Sequence, residues 1–293
     1  MALKNQIRTI GLIQMPCVPE IHDNLEESVQ AIIEASQQGA QIICLQELFR
    51  SQYFCQTVDI NHFDLAEPIP GPTTETFSKL AGELEVVIIA PLFEKRIAGI
   101  YHNSAVVIDS DGSIAGTYRK MHIPDDPCFY EKYYFTPGDL GFRSFTTRYG
   151  KIGVLICWDQ WFPEAARLTA LAGAEILFYP TAIGFQEHDA GEMEKQAAAW
   201  ETIQKSHAIA NGVYVASINR VGREGALEFW GRSFVCDPFG ETLAKGSTDR
   251  AEILVVECDL GRIEKTRRNW PFYRDRRTDA YPNINRLTIE PDA

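Results

Sequence analysis

Three residues carry reactive groups at places where strands should end. Cys157 closes the apolar run Gly153-Val154-Leu155-Ile156 and is followed by Trp158-Asp159-Gln160-Trp161-Phe162-Pro163-Glu164, which reads as strand, sharp turn and proline-marked helix start. Such a turn lifts its central side chain out of the sheet at the carboxyl ends of the strands, where open α/β sheets place their chemistry. Backbone N–H groups beside a helix start, here that of Trp158, favour a thiolate and a developing oxyanion alike. Glu47 ends the apolar strand Gln41-Ile42-Ile43-Cys44-Leu45-Gln46, and Lys120 ends the alternating strand Gly116-Thr117-Tyr118-Arg119. Each has a plainer explanation alone: a buried small hydrophobe, a solvated carboxylate, a surface lysine. Together they make a nucleophile, a proton acceptor and a cation delivered by three strand ends.

The elements that must position them alternate between strands and helices. Ile7 to Gln14 reads as a strand, followed by a helix that Asn24 and Glu27 can cap reciprocally, with Leu25, Val29, Ile32 and Ile33 on one face and Gly39 as its stop. After Glu47 comes a long aromatic-bearing loop from Phe49 to Pro72, expected to shape a pocket, and Tyr53 on it is a candidate substrate contact. Thr73 to Glu85 reads as an amphipathic helix and Val86 to Ala90 as a strand. Asp109-Ser110-Asp111-Gly112 is a hairpin signal between Ser104–Ile108 and Ser113–Tyr118, so the sheets are mixed. A second hairpin around Arg148-Tyr149-Gly150 leads to Cys157. Pro163 to Ala172 and Met193 to Asn211 are expected helices, Pro180 to Gly191 a loop, and Ile176–Tyr179, Val213–Asn219, Phe234–Cys236, Glu241–Ala244 and Ile253–Cys258 strands. Central strands this apolar are covered on both faces, which predicts two facing sheets with helices outside.

Composition narrows the partners. The chain has 293 residues, 45% of them hydrophobic, and no linker-like stretch, so a single domain spanning 1–293 is expected. Its 28 basic and 40 acidic residues leave a net charge of −12, an argument against nucleic acid and in favour of cationic small molecules. Seven cysteines without a C-x-x-C pair fit a reducing, cytoplasmic setting. The six histidines lack metal-site spacing, no glycine-rich phosphate loop is present, and neither a metal nor an organic cofactor is expected. No apolar run is long enough to span a membrane, and Met1 to Gln6 has no signal-like core. The tail over 269–293 is weakly periodic yet holds Trp270, Phe272, Tyr273 and Tyr281, so it is expected to dock on a neighbouring subunit.

From about Ile7 to about Tyr281 the chain resembles the nitrilase superfamily of carbon–nitrogen hydrolases, whose Glu-Lys-Cys triad matches Glu47, Lys120 and Cys157 in order and context. The blocks Gln46-Glu47-Leu48-Phe49, Arg119-Lys120-Met121-His122-Ile123-Pro124, Cys157 to Glu164 and Tyr179-Pro180-Thr181-Ala182-Ile183-Gly184 are similar to the branch acting on N-carbamoylputrescine. The resemblance implies an α/β fold, a four-layer α-β-β-α sandwich with mixed sheets, that continues across a dimer or larger homo-oligomer. It implies that Cys157 attacks, Glu47 shuttles protons and Lys120, with the N–H of Trp158, holds the oxyanion. Glu131 in Phe129-Tyr130-Glu131-Lys132 matches an additional family glutamate that supports the lysine; the plainer alternative is a loop glutamate beside Lys132. Members acting on carbamoyl amino acids carry basic residues after the nucleophile, where this chain has Gln160 and Trp161, so a substrate carboxylate would lack a partner there. Asp125, Asp126 and Glu187 lie on loops after catalytic strands and are candidates to receive an ammonium, Glu187 foremost, unless they simply face solvent. The expected substrate is a small cationic carbamoyl amine, N-carbamoylputrescine above others. An aliphatic amidase, a nitrilase or, less in keeping with the intact triad, a non-catalytic interaction module are the alternatives.

Overall fold

The structure, a computed structural model, describes residues 6–289. Most of the N-terminal stretch read for a targeting signal, and the last four residues of the aromatic tail, lie outside the described residues. In the first half, β1 (Ile7–Gln14), α1 (Ile21–Gln37), β2 (Ile42–Leu45), α2 (Pro72–Leu84), β3 (Val87–Ile97), β4 (Ile100–Ile108), β5 (Ile114–Arg119) and α3 (Glu131–Tyr134) follow in order. The second half contains β6 (Ser144–Thr147), β7 (Gly150–Val154), α4 (Pro163–Leu171), β8 (Ile176–Pro180), β9 (Gly184–Gln186), α5 (Met193–Asn211) and β10 (Tyr214–Ile218). It closes with β11 (Val221–Glu224), β12 (Leu227–Trp230), β13 (Phe234–Cys236), β14 (Thr242–Lys245), β15 (Glu252–Asp259) and α6 (Gly261–Asn269).

Two six-stranded mixed sheets result, ordered β15-β1-β2-β3-β4-β5 and β14-β13-β10-β8-β7-β6. Side chains alternate across a strand, and the first sheet uses both faces for burial. Ile10, Leu12, Ile42, Cys44, Val87, Ile89, Ala105 and Val107 join the second sheet's residues in one core. Ile13, Ile43, Leu45, Ile88, Val106 and Ile108, their neighbours along the same strands, pack with Ile32 and Ala35 of α1 and Phe77 and Ala81 of α2. Helices α4 and α5 cover the second sheet through Ala165, Ala166, Ala170, Ala197, Trp200 and Ala208. The layers are therefore helix, sheet, sheet, helix.

Sequence and structure differ in four places. Asn24 does not cap α1, which begins at Ile21. Its amide instead ties loops together, accepting from the Val18 N–H and donating to the Val18 and Arg50 carbonyls. The β3 and β4 strands run on into a long hairpin closed at Gly99, whose φ of 80° suits the turn. The expected loop from Pro180 to Gly191 contains β9, which pairs with the β11–β12 hairpin in a third, three-stranded sheet. A helix, α6, precedes the aromatic tail. Within that tail Tyr273 folds back on its own chain, its hydroxyl donating to the Ala170 carbonyl beneath the Arg167 and Arg267 guanidinium groups. Trp270, Phe272 and Tyr281 remain exposed.

Candidate active site

The strand before Cys157 contains Gly153, where a Cβ would come within 2.3 Å of Thr169 of α4, so glycine lets the following helix close against β7. Past β7 the chain makes a single 3-10 turn over Cys157–Trp161 before α4 starts at Pro163. Cys157 has φ 45°, a left-handed conformation unusual for a residue with a side chain, and it is buried. Asp159 holds this turn from within. It is fully buried, accepts from the Ile156 N–H at 2.9 Å and the Tyr118 hydroxyl at 2.7 Å, and its other oxygen meets the His122 ring at 2.7 Å.

Lys120 leaves the end of β5 and lies between two carboxylates, 2.8 Å from Glu47 Oε1 and 2.6 Å from Glu131 Oε2. All three side chains are buried. Asn103 Nδ2 also donates to Glu47 Oε1 at 2.7 Å, while Glu47 Oε2 is buried with no hydrogen-bond partner. Glu131 Oε1 accepts from the Tyr53 hydroxyl at 2.7 Å. Burial alone would favour a neutral Lys120 amine, but Glu131 and Glu47 outweigh it and hold the ammonium protonated. Burial pushes Glu131 up to about 7 against the pull of Lys120. Burial, reinforced by Glu47 and Glu131, raises Cys157 well above the ordinary thiol value, with Lys120 and the Ala182 N–H opposing. The arrangement thus offers a protonated thiol, a carboxylate oxygen without a partner and a buried ammonium, the set needed for addition to a carbonyl followed by proton transfer to a leaving nitrogen.

Cys157 and Glu131 open into a cavity of about 480 Å³ walled by Phe129, Trp158, Trp161, Phe185 and Trp230 and edged by Asp126, His188 and Asp189. Among the described residues no lysine or arginine lines it. Glu47, Lys120, Glu131 and Tyr53 are brought together, and Trp158 lines the cavity, whereas Tyr53 is buried with its hydroxyl on Glu131 and is not part of the cavity wall. Glu187 is not there either. Its side chain is 86% exposed and pairs with Arg223 at 3.3 Å, while its neighbours His188 and Asp189 line the cavity edge. Asp125 likewise stays outside while Asp126 lines the edge, as neighbours on an extended segment point apart. Gln160 does not read substrate: its amide oxygen accepts from Trp200 Nε1 and the Thr181 hydroxyl inside the core, and only Trp161 of that pair reaches the cavity.

Several residues at the site were missed in the sequence. Asn103 lies between His102 and Ser104, just before the strand read as Ser104–Ile108, and nothing in that polar stretch singled it out. Arg220 ends the apolar strand Val213 to Asn219 just as Glu47 and Lys120 end theirs, and the same reasoning applied to it would have found it. Asp159 and Asp189 carried no distinguishing pattern.

The profile of the carbon-nitrogen hydrolase family matches residues 9–268. The chain belongs to that family. This carbon–nitrogen hydrolase is 44% identical to the N-carbamoylputrescine amidase of Solanum lycopersicum, over 99% of this chain and 98% of that one. It is 40% identical to the citrullinase of Francisella tularensis, over 94% and 98%. Among solved structures, the carbon-nitrogen hydrolase from Helicobacter pylori G27 superposes with a TM-score of 0.93 at 50% identity, covering 97% of this chain and all of that one. Among the described residues no group of His, Cys, Asp and Glu could hold a metal ion, and no helix is long and apolar enough to cross a membrane.

Proposed function

We propose that this carbon–nitrogen hydrolase cleaves N-carbamoylputrescine to putrescine, carbon dioxide and ammonia. The observation that carries the reading is the cavity itself: it joins Cys157 and Glu131 to the carboxylates of Asp126 and Asp189 and has no arginine or lysine among its described lining residues. Such a cavity suits an ammonium and leaves a carboxylate unpaired. The 44% identity to the tomato N-carbamoylputrescine amidase supports the same substrate.

In this mechanism Cys157 Sγ attacks the ureido carbon as Glu47 Oε2 takes its proton. Lys120 and the Trp158 N–H hold the oxyanion, each good donor contributing about 3 kcal/mol. Glu47 then passes the proton to the departing nitrogen, and the thiol ester is hydrolysed by a water that Glu47 deprotonates. Whichever nitrogen departs first, the carbamic acid that is released decomposes, so the products are the same. Glu131 and Asn103 keep Lys120 and Glu47 in place.

The second reading is hydrolysis of citrulline, favoured by the citrullinase relative. Citrulline also has a ureido group, but its carboxylate would find no lysine or arginine among the described residues of the cavity wall. The two readings separate on a panel of N-carbamoylputrescine, citrulline, N-carbamoyl-β-alanine and a neutral carbamoyl alkylamine, with ammonia and amine release measured. N-Carbamoylputrescine should have the highest kcat/KM, and preference for either carboxylate-bearing compound overturns the assignment.

The 1–293 chain is read as one catalytic domain, and the protein as a cytoplasmic homo-oligomer. The cysteines without disulfides and the exposed Trp270, Phe272 and Tyr281 support this, the latter as a surface for a neighbouring subunit.

A further inference from the structure

One buried ion pair stands behind the reacting groups and touches none of them by side chain. Arg220 follows β10 and is fully buried; Glu224 ends β11 and is buried too. Arg220 Nη1 lies 2.9 Å from Glu224 Oε1. The remaining bonds converge on a single stretch of chain, residues 47–53. Arg220 Nη2 donates to the Glu47 carbonyl at 2.6 Å and the Leu48 carbonyl at 3.1 Å, and Nη1 donates to the Ser51 carbonyl at 3.3 Å. Glu224 Oε2 accepts from the Tyr53 N–H at 2.5 Å. Within that stretch Leu48 has φ 50°, a left-handed conformation that a residue with a Cβ holds only when its surroundings impose it.

The two residues at the ends of this stretch are the ones that organise Lys120. Glu47 meets the ammonium directly, and the Tyr53 hydroxyl holds Glu131, which meets it from the other side. A buried ion pair often stabilises a fold no more than a well-packed apolar pair of the same volume. Its distinguishing capacity is geometric, because a planar guanidinium fork can satisfy several acceptors in fixed directions and an ammonium cannot.

We infer that the Arg220–Glu224 pair is a positioning device for the reaction, fixing residues 47–53 so that Glu47 and, through Tyr53, Glu131 stay seated on Lys120. Neither member lines the cavity, and their hydrogen bonds run to each other and to the backbone of residues 47–53 rather than into it. This rests on Glu47 being the base, as proposed above.

The test uses the full chain with Arg220→Lys, the double variant Arg220→Met/Glu224→Gln, and Glu47→Gln as the reference. Arg220→Lys keeps the charge and loses the fork, and the double variant removes both charges together, so no unpaired ion is left buried. The expected result for both is cooperative unfolding close to the parent with kcat lowered about 10- to 100-fold, the effect of displacing a reacting group by about an ångström, and KM within about twofold. Alkylation of Cys157 by iodoacetamide, followed by mass spectrometry, should slow with kcat. A folded variant whose kcat stays within about twofold of the parent, or whose loss lies wholly in KM, overturns the inference. If the double variant does not fold, Arg220→Lys decides alone on the same criteria. An active Glu47→Gln enzyme would refute the base assignment itself, whereas an inactive one beside a fully active Arg220→Lys would refute only the positioning role.

Discussion

The inner and outer ends of the cavity are built on different principles. At the inner end Glu47, Lys120, Glu131 and Asn103 are buried and joined by hydrogen bonds of 2.6 to 2.8 Å, and the buried Asp159 separately holds the Cys157 turn. At the outer end Asp126, Glu187 and His188 are exposed, Glu187 pairing with the exposed Arg223 and His188 lying 3.5 Å from Asp189. Charges in a dry network act strongly on one another, while exposed charges are screened and held loosely. From this contrast we expect a rigid site for the proposed chemistry and a substrate choice spread over a few weak contacts.

The contrast can be broken most sharply at the inner end. Cys157→Ala should lower kcat by at least about a thousandfold, since no other group can form the thiol ester; retained turnover within about tenfold would remove the nucleophile assignment.

Glu131→Gln tests the network by pH. Burial raises this carboxyl from 4.5 to about 7, so across that window the folded protein binds more protons than the unfolded chain and loses stability as pH rises. Thermal unfolding should show Glu131→Gln gaining on the parent from about pH 4.5 to 7, with kcat reduced about 10- to 100-fold at neutral pH. A stability difference flat in pH would show that the carboxyl is not displaced.

At the outer end Asp126→Asn and Asp189→Asn should each raise KM for N-carbamoylputrescine about tenfold and leave kcat nearly unchanged, the effect of losing one charge-assisted contact of about 1.5 kcal/mol. A neutral carbamoyl alkylamine should be unaffected; equal losses on both substrates would deny these residues an ammonium role. Smallest of all is Glu187→Gln, expected within about twofold of the parent because its carboxylate faces solvent and Arg223. A large rise in KM there would mean that the loop turns inward when substrate binds.

Much of this was legible in the chain. The strands that deliver Glu47, Lys120 and Cys157 are short apolar or alternating runs with abrupt polar ends, and local periodicity and turn chemistry are properties of neighbouring residues. The limits of β1, α5 and β13 followed for the same reason. Residues whose importance depends on distant partners were harder. Asn24 looked like a cap because it had the right local spacing, yet its amide serves the loops at Val18 and Arg50. Glu187 lay on the right loop, but its neighbours His188 and Asp189 line the cavity while Glu187 pairs with Arg223, a contact across 36 positions that no local pattern marks.

The sequence by itself carried the layered α/β architecture, through short apolar runs with abrupt polar ends, and the family, through its motif blocks, and it singled out Glu47, Lys120 and Cys157 as candidates. Only the tertiary structure decided that Lys120 lies between two carboxylates, that Tyr53 serves Glu131 rather than the cavity wall, and that Asp126 and Asp189 face inward where Asp125 and Glu187 do not. Those outcomes depend on residues up to 78 positions apart, as Tyr53 and Glu131 are; burial then amplifies their interactions in a way that no local window of sequence encodes.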